Sequence, residues 1–102
     1  MKQLDAKTFK DKINTDPDAV LIDVRAPEEE VEGTIENSIN INIMASDFQS
    51  KIADLEKNKN YYVFCRSGGR SASACEFMES NGFNTTFNLI GGITAWNTLE
   101  KA

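Results

Sequence analysis

The run Ala19-Val20-Leu21-Ile22-Asp23-Val24 and the run Tyr61-Tyr62-Val63-Phe64-Cys65 are each of strand length and almost wholly apolar. A strand with no polar alternation has no face to offer water, so it belongs inside a sheet covered on both sides, as in parallel sheets flanked by helices. The segments around these runs read accordingly. Asp5 can cap a helix through about Asn14, with Phe9 and Ile13 four apart on one face, and Asp16-Pro17-Asp18 breaks it. Pro27 opens a short helix whose Glu28, Glu29 and Glu30 lie where a helix amino terminus favours carboxylates, and Gly33 can close it. The Glu28 to Glu32 cluster needs no bound ion to explain it. Ile39, Ile41 and Ile43 alternate with Asn40 and Asn42 as a short strand with one buried face, and Ser46 to about Lys57 reads as a helix carrying Phe48, Ile52 and Leu55. Past the second buried run come a glycine-containing loop, a helix from Ser71 to Ser80 ended by Asn81-Gly82, and a strand from Thr85 to Leu89. A turn at Gly91-Gly92 then leads into a closing helix from Ile93 to Lys101, with Trp96, Ile93 and Leu99 as its apolar face. This alternation predicts an α/β domain with a mostly parallel central sheet and helices on both faces.

At 102 residues the chain has room for one core, so residues 1–102 are expected to form a single domain. A net charge of -5 repels nucleic-acid backbones and anionic lipid, and neither is expected as a partner. Met1 to Lys12 mixes charge through its apolar residues and no stretch is long and apolar enough to span a bilayer, so the expected compartment is the cytoplasm. Two cysteines in a reducing compartment are expected to be free thiols. The chain has no histidine, which removes Cys-His and Ser-His-Asp chemistry and the usual structural zinc site. No metal and no cofactor is expected, and any nucleophile must be activated without an imidazole base. The size and the lack of a coiled-coil pattern predict a monomer.

In open α/β sheets chemistry gathers where the carboxyl ends of buried strands meet helix amino termini. Cys65 stands at such a place, followed by Arg66-Ser67-Gly68-Gly69-Arg70. Paired glycines let the backbone curl so that successive N–H groups converge on one point. Those donors, the positive end of the next helix and the two arginines favour thiolate over thiol, and they suit an anionic leaving group or a persulfide. A cysteine ending a strand is often just a small core residue and a Gly-Gly pair just a turn. It is the conjunction of strand, Cys, basic glycine loop and helix that is specific. Arg25 follows the first buried strand and is expected to brace a loop by pairing with Asp23 or a glutamate, with support of the site as the lesser alternative. Cys75 lies roughly 9 Å along the helix that follows the loop, beyond disulfide reach, on one stripe with Ala72 and Met78. Core packing is its expected role.

These segments together resemble the rhodanese family over nearly the whole chain. Leu21 to Arg25 with Pro27-Glu28-Glu29 is similar to the family's first signature, and Gly33-Thr34-Ile35 through Ile43 to the segment after it. Members commonly carry His where Thr34 stands. Phe64 to Ser71 resembles the active-site loop, and Leu89 to Gly92 with Ala95-Trp96 the closing signature. The resemblance implies a rhodanese-like fold and a thiosulfate sulfurtransferase, with Cys65 as nucleophile and persulfide carrier and Arg66, Ser67, Gly68, Gly69 and Arg70 binding substrate. It implies a small-molecule sulfur donor, thiosulfate or a related persulfide, and a thiophilic acceptor, cyanide or a thiol, with a protein acceptor compatible with the same chemistry. Related phosphatases and arsenate reductases have a loop one residue longer, with Arg six positions after the Cys, where this chain has Ser71. Two readings stay open beside the enzyme: a persulfide carrier serving a partner enzyme, and, opposed by the loop length, a phosphatase-like or arsenate-reducing activity.

Overall fold

The two apolar runs are neighbours. β2 (Ala19–Asp23) and β4 (Asn60–Phe64) pair in parallel, with Ile22 opposite Val63 and Asp23 opposite Phe64. A computed structural model describes residues 1–101. In it these strands lie at the centre of a five-stranded sheet ordered β1-β5-β4-β2-β3, in which β1 is Lys2–Leu4, β3 is Ile39–Asn40 and β5 is Thr85–Leu89. Every pairing is parallel, so the carboxyl ends of all five strands share one edge.

Alternation along β4 divides the core. Tyr61, Val63 and Cys65 face the side covered by α2 (Phe48–Ala53) and α3 (Gly69–Ser80), where they pack with Ile22, Val24, Ile52, Cys75 and Met78. Tyr62 and Phe64 face the side covered by α1 (Ala6–Thr15) and α4 (Gly92–Lys101), against Leu21, Phe9, Ile93 and Trp96. Phe9 meets Tyr62 and Trp96 edge-on, with centroids 5.5 and 6.4 Å apart. Burying each such side chain stabilises by about 1.5–3 kcal/mol, and one change of parity in β4 would exchange the contents of both layers. Asp5 caps α1 by accepting the Thr8 amide at 2.8 Å, as its position before Phe9 and Ile13 predicts.

The differences from the sequence reading are local. β1 was not anticipated: Lys-Gln-Leu has no apolar alternation, and its ladder to β5 comes from tertiary pairing alone. The Ile39 to Ile43 strand shrinks to Ile39–Asn40. Ile41 is buried, but Ile39, at the sheet edge, is half exposed. The Ser46 to Lys57 helix contracts to Phe48–Ala53, whose Phe48 and Ile52 are the buried pair. The acidic segment after β2 is a 3₁₀ helix, Pro27–Glu32. Most consequential for function, α3 begins at Gly69 and not at Ser71, drawing the end of the loop into its first turn.

Candidate functional site

Cys65 follows β4 directly, and three residues later Gly68 caps α3 with φ at 109°. That left-handed backbone favours glycine, and a Cβ there would also come within 3.3 Å of the Leu89 carbonyl oxygen. The reversal aims the Gly68 amide at Cys65 Sγ, 3.1 Å away. Ser71, in the first turn of α3, brings its hydroxyl within 3.3 Å of the same sulfur. Cys65 is 1% exposed, and burial of the thiol opposes its ionisation. Hydrogen bonds from the Ser71 hydroxyl and from the amides of Ser71, Gly68 and Ser67 outweigh that burial and hold Cys65 below the ordinary thiol range.

The loop is also held from behind. The Ile93 amide donates to the Cys65 carbonyl at 2.9 Å and the Thr94 amide to the Arg66 carbonyl at 3.4 Å, both from the amino terminus of α4. This approach is possible because residue 92 has no side chain: at φ 57°, a Cβ on Gly92 would lie 2.4 Å from the Cys65 oxygen and from the Arg66 carbonyl. The pair Gly91-Gly92, read from sequence as a turn, is thus also the place where α4 meets the loop.

A buried polar group completes the floor. The register that sets Asn88 beside Val63 places it on the α3 face of the sheet. Asn88 Nδ2 donates to Gly68 O at 3.1 Å and to Gln3 Oε1 at 2.8 Å, while Asn88 Oδ1 accepts a short hydrogen bond from Ser71 Oγ. Asn88 was not singled out from sequence, and Ser71 entered there only as the residue that ends the loop segment. A signal for Asn88 was present: a polar amide next to Phe87 and Leu89 in a strand buried on both faces requires partners. Ser71 reads from sequence as an ordinary first helical residue.

The two loop arginines are placed differently. Arg70 lies against Glu29, both terminal nitrogens on the carboxylate, and this pairing with the Ala26 amide's hydrogen bond draws Glu29 down to about 2 despite some burial. Arg66 is 65% exposed, with Nε 3.5 Å from Glu32. Two glutamates of the Glu28 to Glu32 cluster are therefore the partners of the loop's cations. Ser67 and Gly69 complete the loop without a side-chain hydrogen bond to the sulfur, Ser67 contributing its amide. Beside Arg66 a groove of about 400 Å³ opens, lined by Glu32, Thr94 and Asn97 among others.

Arg25 is fully buried. Its Nε and Nη2 take the two oxygens of Asp23 at 2.9 Å, and its remaining donors reach Glu29 O and Gly33 O at 3.1 and 2.9 Å. The side chain ties the 3₁₀ segment to the end of β2. Cys75 is a buried free thiol, and burial pushes it up to about 12. No helix among the described residues is long and apolar enough to cross a membrane.

A parallel α/β sheet that ends one central strand in a cysteine, ringed by the amides of a short glycine loop, defines a thiol-centred site of the rhodanese class. The rhodanese-like domain family matches residues 5–99, and the chain belongs to that family. Among curated proteins it is 38% identical to YtwF of Bacillus subtilis, whose sulfurtransferase assignment is itself provisional, over 99% of this chain and 95% of that protein. It is 27% identical to a sulfurtransferase of Allochromatium vinosum, over 94% of this chain and 88% of that one. Among solved structures, a rhodanese-related protein of Thermoplasma volcanium superposes with a TM-score of 0.82 at 36% identity, covering 97% of this chain and 93% of the other. The rhodanese-like domain protein of Staphylococcus aureus gives 0.81 at 32% identity, covering 94% and 91%.

Proposed function

We propose that this chain is a sulfurtransferase, a single domain over residues 1–102 acting in the cytoplasm, in which Cys65 carries sulfur as a persulfide. The observation that carries the reading is the convergence of the Gly68, Ser67 and Ser71 amides and the Ser71 hydroxyl on Cys65 Sγ. An amide 3.1 Å and a hydroxyl 3.3 Å from the sulfur itself suit a charged sulfur cargo better than the larger tetrahedron of a phosphate.

The reaction is a double displacement. The Cys65 thiolate attacks the sulfane sulfur of thiosulfate, the S–S bond of the donor breaks, and sulfite leaves with the electron pair. Charge balances, since a thiolate and a thiosulfate dianion become a persulfide anion and a sulfite dianion. Cyanide or a thiol then attacks the outer sulfur and Cys65 returns as thiolate. Arg66, exposed at the loop's rim, meets donor oxygens first, and Arg70 joins when Glu29 yields it.

The alternative of a persulfide carrier has one observation in its favour. Both arginines face glutamates, which weakens the site's claim on a free dianion and suits a persulfide handed over by a partner. A Bacillus subtilis relative provisionally named a sulfur carrier, YrkF, is 28% identical over 92% of this chain and 50% of its own length. Intact mass after exposure to thiosulfate decides between them, with Cys65→Ala as control. A gain of one sulfur, removed by cyanide and absent from the variant, supports the enzyme. No gain from thiosulfate but a gain from glutathione persulfide makes a persulfide the donor, and catalytic turnover with it then marks the enzyme while loading without turnover marks the carrier; no gain from either sinks sulfur transfer through Cys65.

A further inference from the structure

Ser71 Oγ has a single proton and two neighbours that can accept it: Cys65 Sγ, 3.3 Å away, and Asn88 Oδ1. The orientation of Asn88 is set by the backbone, because the Gly68 carbonyl can only accept and Nδ2 must therefore face it. Oδ1 is left to take the hydroxyl proton. All three groups are at most 2% exposed, so water does not supply a substitute.

We propose that the Ser71 hydroxyl is a catalytic group that turns its proton between the Asn88 carbonyl and the Cys65 sulfur as that sulfur gains and loses charge, with Asn88 as its positioning residue. While Cys65 is a thiol, S–H donates to Ser71 Oγ and the hydroxyl donates to Asn88. When the thiol loses its proton to solvent, Ser71 Oγ has nothing to accept from the sulfur and the hydroxyl rotates to donate to the thiolate. Asn88 Oδ1 gives up its partner in that state, so the amide competes with the sulfur and restrains its ionisation. Persulfide formation moves the negative charge to the outer sulfur. Sγ becomes a neutral disulfide-type atom, and the hydroxyl returns to Asn88. No proton leaves Ser71 at any step.

This deepens the sulfur-transfer reading and rests on it for the persulfide step, but its test needs no sulfur donor. The rate of Cys65 alkylation by iodoacetamide is followed against pH in the parent, Ser71→Ala, Asn88→Ala and the double variant, with thermal melts of each. In Ser71→Ala the inflection is expected to rise, with about tenfold slower alkylation at neutral pH for each unit of the rise and an unchanged plateau at high pH. In Asn88→Ala it is expected to fall, because the hydroxyl is released to the sulfur. The double variant is expected to match Ser71→Ala, since Asn88 acts through a hydroxyl no longer there. An inflection in Ser71→Ala equal to the parent's overturns the proposal, as does an Asn88→Ala shift of the same size with and without Ser71. If Asn88→Ala does not fold, the comparison of parent with Ser71→Ala still decides in either direction. Because alkylation involves no donor, a protein that takes up no sulfur in the mass experiment would leave this result readable.

Discussion

The carboxylate of Glu29 takes both terminal nitrogens of Arg70, Nη1 at 2.7 Å and Nη2 at 2.8 Å, and its Oε2 also accepts the Ala26 amide at 2.9 Å. A bidentate pair of this kind occupies the fork that would otherwise meet a sulfonate. Glu29→Gln keeps an oxygen for the Ala26 amide and removes the charge that holds Arg70. With a charge-assisted hydrogen bond netting about 1.5–3 kcal/mol, freeing the fork is expected to raise kcat/KM for thiosulfate by roughly tenfold, mostly through KM. Steady-state assays of parent and variant check this. An unchanged KM would show that Arg70 does not reach the donor even when released.

The same pair makes a statement about acid. Glu29 lies at about 2 in the folded chain against an ordinary 4.5, drawn down first by Arg70. A carboxylate whose folded value is depressed adds stability above its unfolded value, and that stability disappears as pH falls through the folded one. The advantage of the parent over Glu29→Gln is therefore expected in full above 4.5, shrinking from there to about 2 and flat below. Denaturant unfolding of both proteins across this range measures it. Comparing the difference cancels Asp5, Asp16 and Glu79, which are also depressed and would steepen either curve alone.

Arg25 and Asp23 are 0% and 1% exposed, and removing one partner of a buried pair leaves the other charge stranded, at about 3–5 kcal/mol. Arg25→Leu is expected to lose that much stability in urea unfolding. Arg25→Lys keeps the charge without the fork that reaches Asp23, Glu29 O and Gly33 O together, and should lose roughly half as much. In both, the alkylation rate of Cys65 per folded molecule should stay near the parent's. A variant of normal stability with impaired sulfur transfer would instead make Arg25 part of the site.

The architecture was legible because its strongest signals are non-local in consequence and local in sequence. Two almost wholly apolar runs belong at the middle of a covered sheet, and they lie there. The candidate nucleophile stood out in the sequence for a similar reason: strand, Cys and glycine loop are contiguous. What escaped was assembled from distant parts. Glu29 and Arg70 are 41 positions apart, Ser71 and Asn88 are 17 apart, and Gly92 meets Cys65 only through the packing of α4. β1 escaped because an edge strand of three residues has too few side chains to carry a period.

Cys75 is buried on the core-facing side of α3, raised to about 12, and so is almost wholly protonated at neutral pH. A thiol in that state neither attacks a donor nor resolves a persulfide. Cys75→Ala is expected to transfer sulfur at the parent's rate while losing about 1 kcal/mol through the small void left among Ala74, Met78 and Ile52. Parallel turnover and unfolding measurements test both halves. Native alkylation of the parent should stop at one equivalent, and at none in Cys65→Ala. A second fast equivalent would mean that Cys75 is open to solvent in solution.

Gly92 offers the sharpest test of the loop's rear support. Its φ of 57° strains any residue with a side chain, and the added carbon of Gly92→Ala would stand 2.4 Å from the carbonyl oxygens of Cys65 and Arg66. Those are backbone atoms of the loop that begins at Cys65 and cannot rotate aside. The variant must therefore shift α4 or the loop, and either movement lengthens the Ile93 amide's bond to Cys65 O, 2.9 Å in the parent. The expected result is a loss of several kcal/mol in stability and, in molecules that remain folded, a higher Cys65 alkylation inflection as the converging amides lose aim. Gly91→Ala is the control. Its φ of 77° carries the same strain, but its added carbon would meet the Ala95 side chain at 2.8 Å and not the loop. It should lose stability while leaving the inflection near the parent's; equal shifts in both variants would show that strain in the turn, and not contact with the loop, sets the thiol.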